Sequence, residues 1–446
     1  MMSVLVIAGE FLFVCAFGWA VLSLHPHSRH AAETLLASLL LGMFVTTMSA
    51  GALMFLGLSL QAAGIATALI MAGVIAVMFN QRKPRPVAFS LPRLKWYEWA
   101  TLAAVVEQVA FVLWQLLRSH TYFADALTHW SGRARAMFGG VNWSFDPASP
   151  FFMGKHIGYA SYPLHLVIWR ALSAKLNGGW NEIISRADGL IFFMVILGTI
   201  WLAVRRLSNS RGLAAAAAFV VSAAPLHVWH AAAGYADIAV EAYVLASLAA
   251  LLRREWILAG LLAAGAAWSK NDALVLYLPA LICAVLLLER RSIGRFLLGF
   301  SAIAPWLVFN VVHRLGLSPE PTAFAWHADA PAKLWNAVVD SPNGPLLWIA
   351  VAGCLLYSGR SLFNDAGGRA LIVASAAAAA CIAFTFAMTS AYAFLANEMT
   401  VHRVLMQCSG IAVLTASYGF WLKTQSAEPR VRRQARGRTE GEGCRG

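Results

Sequence analysis

Apolar residues fall into long runs along this chain, separated by short polar connections. The runs are 3–24, 31–59, 62–79, 98–117, 184–204, 212–229, 234–252, 256–269, 273–289, 296–313, 344–358, 370–388 and 403–422. A helix rises about 1.5 Å per residue and a hydrocarbon core is about 30 Å thick. The pattern therefore predicts an all-α polytopic membrane protein of about thirteen helices, the shorter ones tilted or half-buried. The longest interruption is 119–182. Inside it, Ala126, Leu127, Trp130, Ala134, Met137 and Phe138 recur at three- and four-residue spacing and share one face. Asp125, His129, Arg133 and Arg135 fall elsewhere. That pattern predicts a helix lying in the membrane interface, with Asp125 in its first turn, where the helix dipole favours an acid. A second amphipathic stretch, "HIGYASYPLHLVIWRAL", carries Tyr162, Pro163 and His165 in the same connection.

Composition agrees with this pattern. Of 446 residues, 60% are hydrophobic and only 12% charged, against about 25% charged in soluble domains. The net charge of +13 then has a membrane explanation before a nucleic-acid one. The connections "NQRKPRPVAFSLPRLK", "RRLSNSR", the Arg253–Arg254 pair, "ERRSIGR", "GRSLFNDAGGR" and the tail "KTQSAEPRVRRQARGR", with Arg29, hold most of the 34 basic residues. One alternating topology puts them all on one side. By the positive-inside rule that side is the cytoplasm, with the N-terminus outside and the C-terminus inside. The outside connections are then 119–182, 230–236, 270–272, 314–343 and 389–402. The first run lacks a basic leader and carries Glu10, so it reads as an anchor rather than a cleaved signal. The tail after Lys423 reads as disordered and held near anionic headgroups. Five of six cysteines lie in apolar runs and Cys444 in the tail, a pattern without a disulfide or CxxC framework. The sequence shows no convincing internal repeat, which argues against inverted-repeat transporters.

The outside connections carry ionisable clusters. Asp125 and Arg133 lie in the first. "AGYADIAVEAY" places Asp237 at the outer end of a helix, with Glu241 one turn further in. "WSKNDALVLYLP" packs Lys270, Asn271 and Asp272 into a tight turn, and "LANEMTVHRVLMQ" brings Glu398, His402 and Arg403 to the start of the last run. Singly, each reads as a cap, a snorkelling anchor or a local salt bridge. Together on one face they point to a site, because ionisable groups at membrane depth are costly.

"DALTHWSGRARAMF", "YPLHLVIWRAL", "GYADIAV", "WSKNDALVL" and "HRVLMQCSG" resemble, in this order, bacterial integral-membrane glycosyltransferases of the GT-C superfold, relatives of protein O-mannosyltransferases and of the lipid A aminoarabinose transferase. The resemblance covers 98–422 and omits the first three helices. It implies three parts: an N-terminal membrane segment with its basic cytoplasmic loop (1–97), a GT-C-like catalytic module (98–422) with the periplasmic loop 119–182, and the tail 423–446. It implies that Asp125 is the essential acid and that the donor is a sugar on a polyprenyl phosphate. The acceptor is an envelope lipid, polysaccharide or protein. Arg403 and Lys270 match positions that hold the lipid phosphate. Tyr162, His165, Asp237, Asp272, His402 and Arg133 complete the expected substrate-binding set around one cavity. Arg133 ranks below Arg403 and Lys270 for the leaving group. Relatives often pair the acid as DE or DxD; here its neighbours are Ala124, Ala126 and Leu127. No metal ligand is assigned, and a divalent cofactor has no paired-acid motif behind it. The expected location is the bacterial inner membrane, multi-pass, with the site facing the periplasm.

Chemistry supports the same reading independently. Glycosyl transfer needs a carboxylate to take or orient the acceptor proton and positive charge for the departing phosphate. One carboxylate without a covalent intermediate inverts the anomeric centre. The alternatives are a lipid-linked polysaccharide polymerase or ligase, which places its long outside loop later in the chain, and a transporter, for which Glu10, Glu33 and Glu107 are the intramembrane candidates. A non-catalytic assembly protein is a further class. The topology is tested by introducing Asn142→Cys and labelling it with an impermeant thiol reagent. Labelling from outside the cell is expected; labelling from the cytoplasmic side alone refutes the orientation.

Overall fold

The structure is a computed structural model. It describes all residues except 1, 24–30, 82–94, 122–123, 319–321, 343, 397–398 and 443–446. Side chains at 2–4, 81, 396, 399 and 427–442 are also left aside. Arg29, most of the 80–95 connection and Glu398 thus lie outside the described residues.

Among the described residues, nineteen α-helices follow one another: α1 (Met2–Leu22), α2 (Ala31–Phe55), α3 (Leu60–Gln81), α4 (Trp96–Arg118), α5 (Ser131–Gly139), α6 (His165–Leu176), α7 (Ala187–Ser208), α8 (Arg211–Ser222), α9 (Pro225–Ala233), α10 (Asp237–Leu252), α11 (Trp256–Ser269), α12 (Leu278–Glu289), α13 (Ile293–Phe300), α14 (Ala304–Val312), α15 (Ala330–Val339), α16 (Pro345–Asn364), α17 (Ala366–Met388), α18 (Tyr392–Ala396) and α19 (Met399–Glu442). Among the described residues, β pairing is limited to two isolated bridges. α19 runs past Lys423 into the basic tail.

Among the described residues, nine helical stretches are long and apolar enough to cross a membrane, or ten if α8 and α9 form one bent span. The expected thirteen is not reached on this measure, for three reasons. α10 has 16 residues and α11 has 14. Ala273–Val312 runs as one apolar stretch of 40 residues. A straight helix of that length would measure about 60 Å, twice the hydrocarbon thickness. Instead Glu289 is extended (φ −166°, ψ 94°), and the second half packs along α11. Gly260 meets Phe296 near one end, and the Trp268 and Trp306 rings lie 5.5 Å apart near the other. Run 212–229 also breaks. Ala224 precedes Pro225 and takes extended angles, as a residue before proline does. α9 therefore leaves α8 at 63°.

α10 is the centre of the bundle: every residue but its last is buried. It is apolar or small nearly all round, as an enclosed helix must be. At its far end Arg206 pairs with Glu33 at 2.7 Å, Arg253 with Glu255 at 3.2 Å, and Tyr418 donates to Asp365 at 3.0 Å. Asp237 begins the other end, about 24 Å away along the helix. Among the described residues, the basic pairs around Glu33 and Glu255 and the cluster around Asp237 thus occupy opposite ends of α10.

Close approach of small residues holds neighbouring helices. A methyl added at Gly260 would sit 2.0 Å from the Phe296 carbonyl oxygen, and one at Gly299 2.1 Å from that of Ile257. Membrane helices associate through such contacts because lipid supplies no hydrophobic drive between them. Gly260→Ala is expected to lower stability by about 1–3 kcal/mol, the usual cost of overpacking. Gly294→Ala, with nothing within 4 Å, should be near neutral; denaturant unfolding in mixed micelles compares the two.

Candidate functional site

Two π-helical turns frame the site. One, Ala126–Trp130, starts directly after Asp125; the other, Ala273–Tyr277, starts directly after Asp272. Isolated π-turns widen a helix locally and occur frequently at functional sites. Here each places an acid at the end of the bundle occupied by the start of α10.

Asp125 accepts a hydrogen bond from Nη1 of Arg403, near the start of α19. The guanidinium lies over the Tyr235 ring, 5.2 Å from its centroid. Lys270 Nζ is 3.0 Å from Asp237 Oδ1 and 2.6 Å from Asp272 Oδ2. Gln407, one turn after Arg403, donates to the same Asp237 oxygen at 2.6 Å. Asp237 opens α10, where the helix dipole favours an anion. Asn271 donates to the Ser161 carbonyl at 2.8 Å and the Leu317 carbonyl at 3.0 Å. It thereby ties the 119–182 and 314–343 connections to the α11 turn.

The titration states follow from these neighbours. Burial disfavours the Lys270 charge, but Asp237 and Asp272 outweigh it and hold its pKa above the ordinary lysine value. His129 is pulled down to about 4 by burial, against the opposing pull of Asp125. It is neutral at pH 7, so Arg403 and Lys270 are the cations of this cluster. Burial pushes Tyr162 up to about 12, and its hydroxyl stays protonated. Tyr162 lies flat against Trp130, with centroids 5.5 Å apart, and edge-on to His129 at 5.1 Å.

Asp125, Arg403, Asp237, Lys270 and Asp272 are therefore brought together, with Tyr162 beside them. Two expected members stand apart. His165 is wholly enclosed. Its Nδ1 lies 2.6 Å from the Thr47 hydroxyl and its Nε2 3.2 Å from that of Tyr243. Burial, then Arg170, lowers its pKa to about 3. It is a core histidine because α6 packs between α2 and α5 with nearly every face covered, rather than lying on the interface. Arg133 is also fully buried, and it braces the loop. Its Nε donates to the Met153 carbonyl at 3.0 Å and its Nη1 to that of Tyr162 at 3.2 Å. His402 joins Arg403 in a neighbouring groove.

That groove has a volume of about 610 Å³. Gln108, Phe111 and Gln115 of α4 line one wall, the α8–α9 bend from Ala223 to Trp229 lines another, and Pro342, His402 and Arg403 lie at its edge. The bend at Pro225 opens it. Its walls are mainly apolar, with Arg403 common to the groove and the acid cluster.

Sequence reading missed Tyr235 and Gln407. Gln407 had a signal, since it sits one turn from Arg403 inside an apolar run. The π-turns had none. Among the described residues, no group of three or more His, Cys, Asp or Glu is placed to hold a metal ion. Comparison with protein-family models, with curated proteins and with solved structures finds no match for this chain.

The two ion pairs differ in burial. The Lys270 and Asp237 side chains are 7% and 1% exposed; those of Arg403 and Asp125 are 14% and 33%. Removing one partner of a buried pair strands the other charge, at about 3–5 kcal/mol. Asp237→Ala should therefore cost about 3 kcal/mol, the low end because Asp272 remains on Lys270. Asp125→Asn should cost about 1 kcal/mol or less. Thermal and denaturant unfolding in detergent ranks the pair.

Proposed function

We propose that this protein is a membrane glycosyltransferase of the GT-C type. It transfers a sugar from a polyprenyl-phosphate donor to an envelope lipid, polysaccharide or protein on the non-cytoplasmic face of a bacterial inner membrane. The observation that carries the reading is Arg403, which lines an apolar groove and pairs with the half-buried acid Asp125. A lipid tail suits such a groove, and a guanidinium fork suits phosphate oxygens.

The charges suggest an order of events. Among the described residues, Asp125, Asp237 and Asp272 pair with two cations, Arg403 and Lys270. Asp237 is held by both Lys270 and Gln407, whereas Asp125 is held by Arg403. An incoming donor phosphate competes with Asp125 for Arg403 and releases the carboxylate. The acceptor hydroxyl oxygen then attacks the anomeric carbon. The bond from that carbon to the phosphate oxygen breaks, with its electrons remaining on the phosphate. Asp125 takes the acceptor proton and afterwards returns it to water. The anomeric centre is inverted. Tyr162 and His129 flank the acid and can bond sugar hydroxyls.

A transporter is the second reading, favoured by a different observation. His227 Nε2 and Glu241 Oε2 lie 2.9 Å apart, both completely buried, and ionisable groups at depth mark ion or proton paths. Flux of a solute without covalent transfer would select it.

The test is transfer in proteoliposomes supplied with a defined polyprenyl-phosphate sugar. Asp125→Asn should lower turnover by about 10²–10⁴-fold, the loss typical of a general base, with folding intact. Arg403→Ala should weaken donor binding. If Asp125→Asn retains more than about a tenth of turnover, less than a general base is worth, the aspartate is only the ion-pair partner of Arg403.

A further inference from the structure

The segment 322–342 turns large apolar side chains outward, which a water-facing loop rarely does. Its inner side is clasped to the end of α17. Ala325 N–H donates to the Met388 carbonyl at 3.1 Å, His327 N–H to that of Ala387 at 2.9 Å, and Ser390 N–H to that of Ala323 at 2.9 Å. The His327 ring lies flat on Tyr392, 4.0 Å between centroids and 5° between planes. Lys333 sits 4.6 Å from the Tyr392 centroid and 3.0 Å from Asp329. Ala330 and Ala337 of α15 are buried. Asp329, Lys333 and the Tyr392 hydroxyl thus bond one another within the protein.

The outer side carries Phe324, Trp326 and Trp335, at 77%, 64% and 68% exposure, with exposed Val339 one turn beyond Trp335. Aromatic side chains of this size each carry about 150–250 Å² of surface, a patch that a wet loop rarely leaves open. The patch continues onto membrane-spanning surface. Phe384 of α17, one turn before the clasp, and Leu346 and Ile349 of α16, just after the segment, are exposed as well. Indole rings favour the boundary between headgroups and acyl chains.

We propose that 322–342 is a membrane-seated arm whose Phe324, Trp326, Trp335 and Val339 dock into the headgroup–acyl boundary of the bilayer. Pro342, at its end, lines the groove that holds Arg403. The assignment stands apart from the transfer reading, since it concerns the lipid surface alone.

The test uses the full chain in nanodiscs of phosphatidylcholine brominated at shallow or deep acyl positions. Emission of the wild type minus that of Trp326→Phe/Trp335→Phe isolates the two indoles, and Phe keeps the face apolar. That difference emission should be blue-shifted, quenched more by shallow than by deep bromines, and resistant to aqueous iodide. Quenching by iodide but not by bromolipid would place the face in water, open to a soluble acceptor, and overturn the proposal. Quenching by neither would mean that protein covers it, a second copy included, and overturns it equally. Trp335→Phe alone, read the same way, serves if the double variant does not fold.

Discussion

A charge carried into apolar surroundings must be paired or held by hydrogen bonds, and this requirement organises the molecule. Desolvation costs several kcal/mol per ion even after relaxation, and lipid offers no water to offset it. Several ionisable side chains set among the helices therefore reach across to another element. Glu10 of α1 accepts from Ser173 of α6, Arg170 of α6 forks onto Asp188 of α7, and Lys270 joins the end of α11 to Asp237 of α10. Arg206 and Arg253 converge on Glu33 at the opposite end. These links are directional where hydrophobic contact is not. They fix which helices are neighbours and in what register.

At one end of the bundle the same requirement produces two acids held to different degrees. Asp237 is held by two donors and enclosed, so its carboxylate is committed to structure. Asp125 is held by Arg403 and remains a third exposed. The difference follows from position. Asp237 starts the most buried helix, whereas Asp125 starts a short π-turn at the surface of the bundle. Arg403 is shared between that acid and the groove.

Backbone geometry matters as much as charge. Pro225 cannot continue the α8 hydrogen-bond ladder, and the resulting bend leaves the space that becomes the groove. Arg133, without a carboxylate partner among the described residues, braces two loop carbonyls instead and so fixes the strand of chain that presents Tyr162. A buried guanidinium used in this way is costly, but it gives an irregular loop a defined shape that its short apolar face could not impose.

The sequence by itself determined that the chain is helical and membrane-embedded, because hydrocarbon thickness converts directly into run length. The separation of basic connections from acid-bearing turns was equally legible, since charge position along a crossing helix decides its end. Asp125, Asp237, Lys270 and Arg403 could be nominated together on that ground alone. Tertiary structure decided the rest. The charged connection "ERRSIGR" marked the break between 273–289 and 296–313, but that the chain turns at an extended Glu289 and packs back along α11 was decided by the fold. His165 and Arg133 look like site residues in one dimension, yet helix packing encloses both, because amphipathic spacing shows that a face is apolar without showing what covers the other. The pairing of Asp125 with Arg403, 278 positions apart, needed the fold, since no local pattern encodes a contact between distant helix ends.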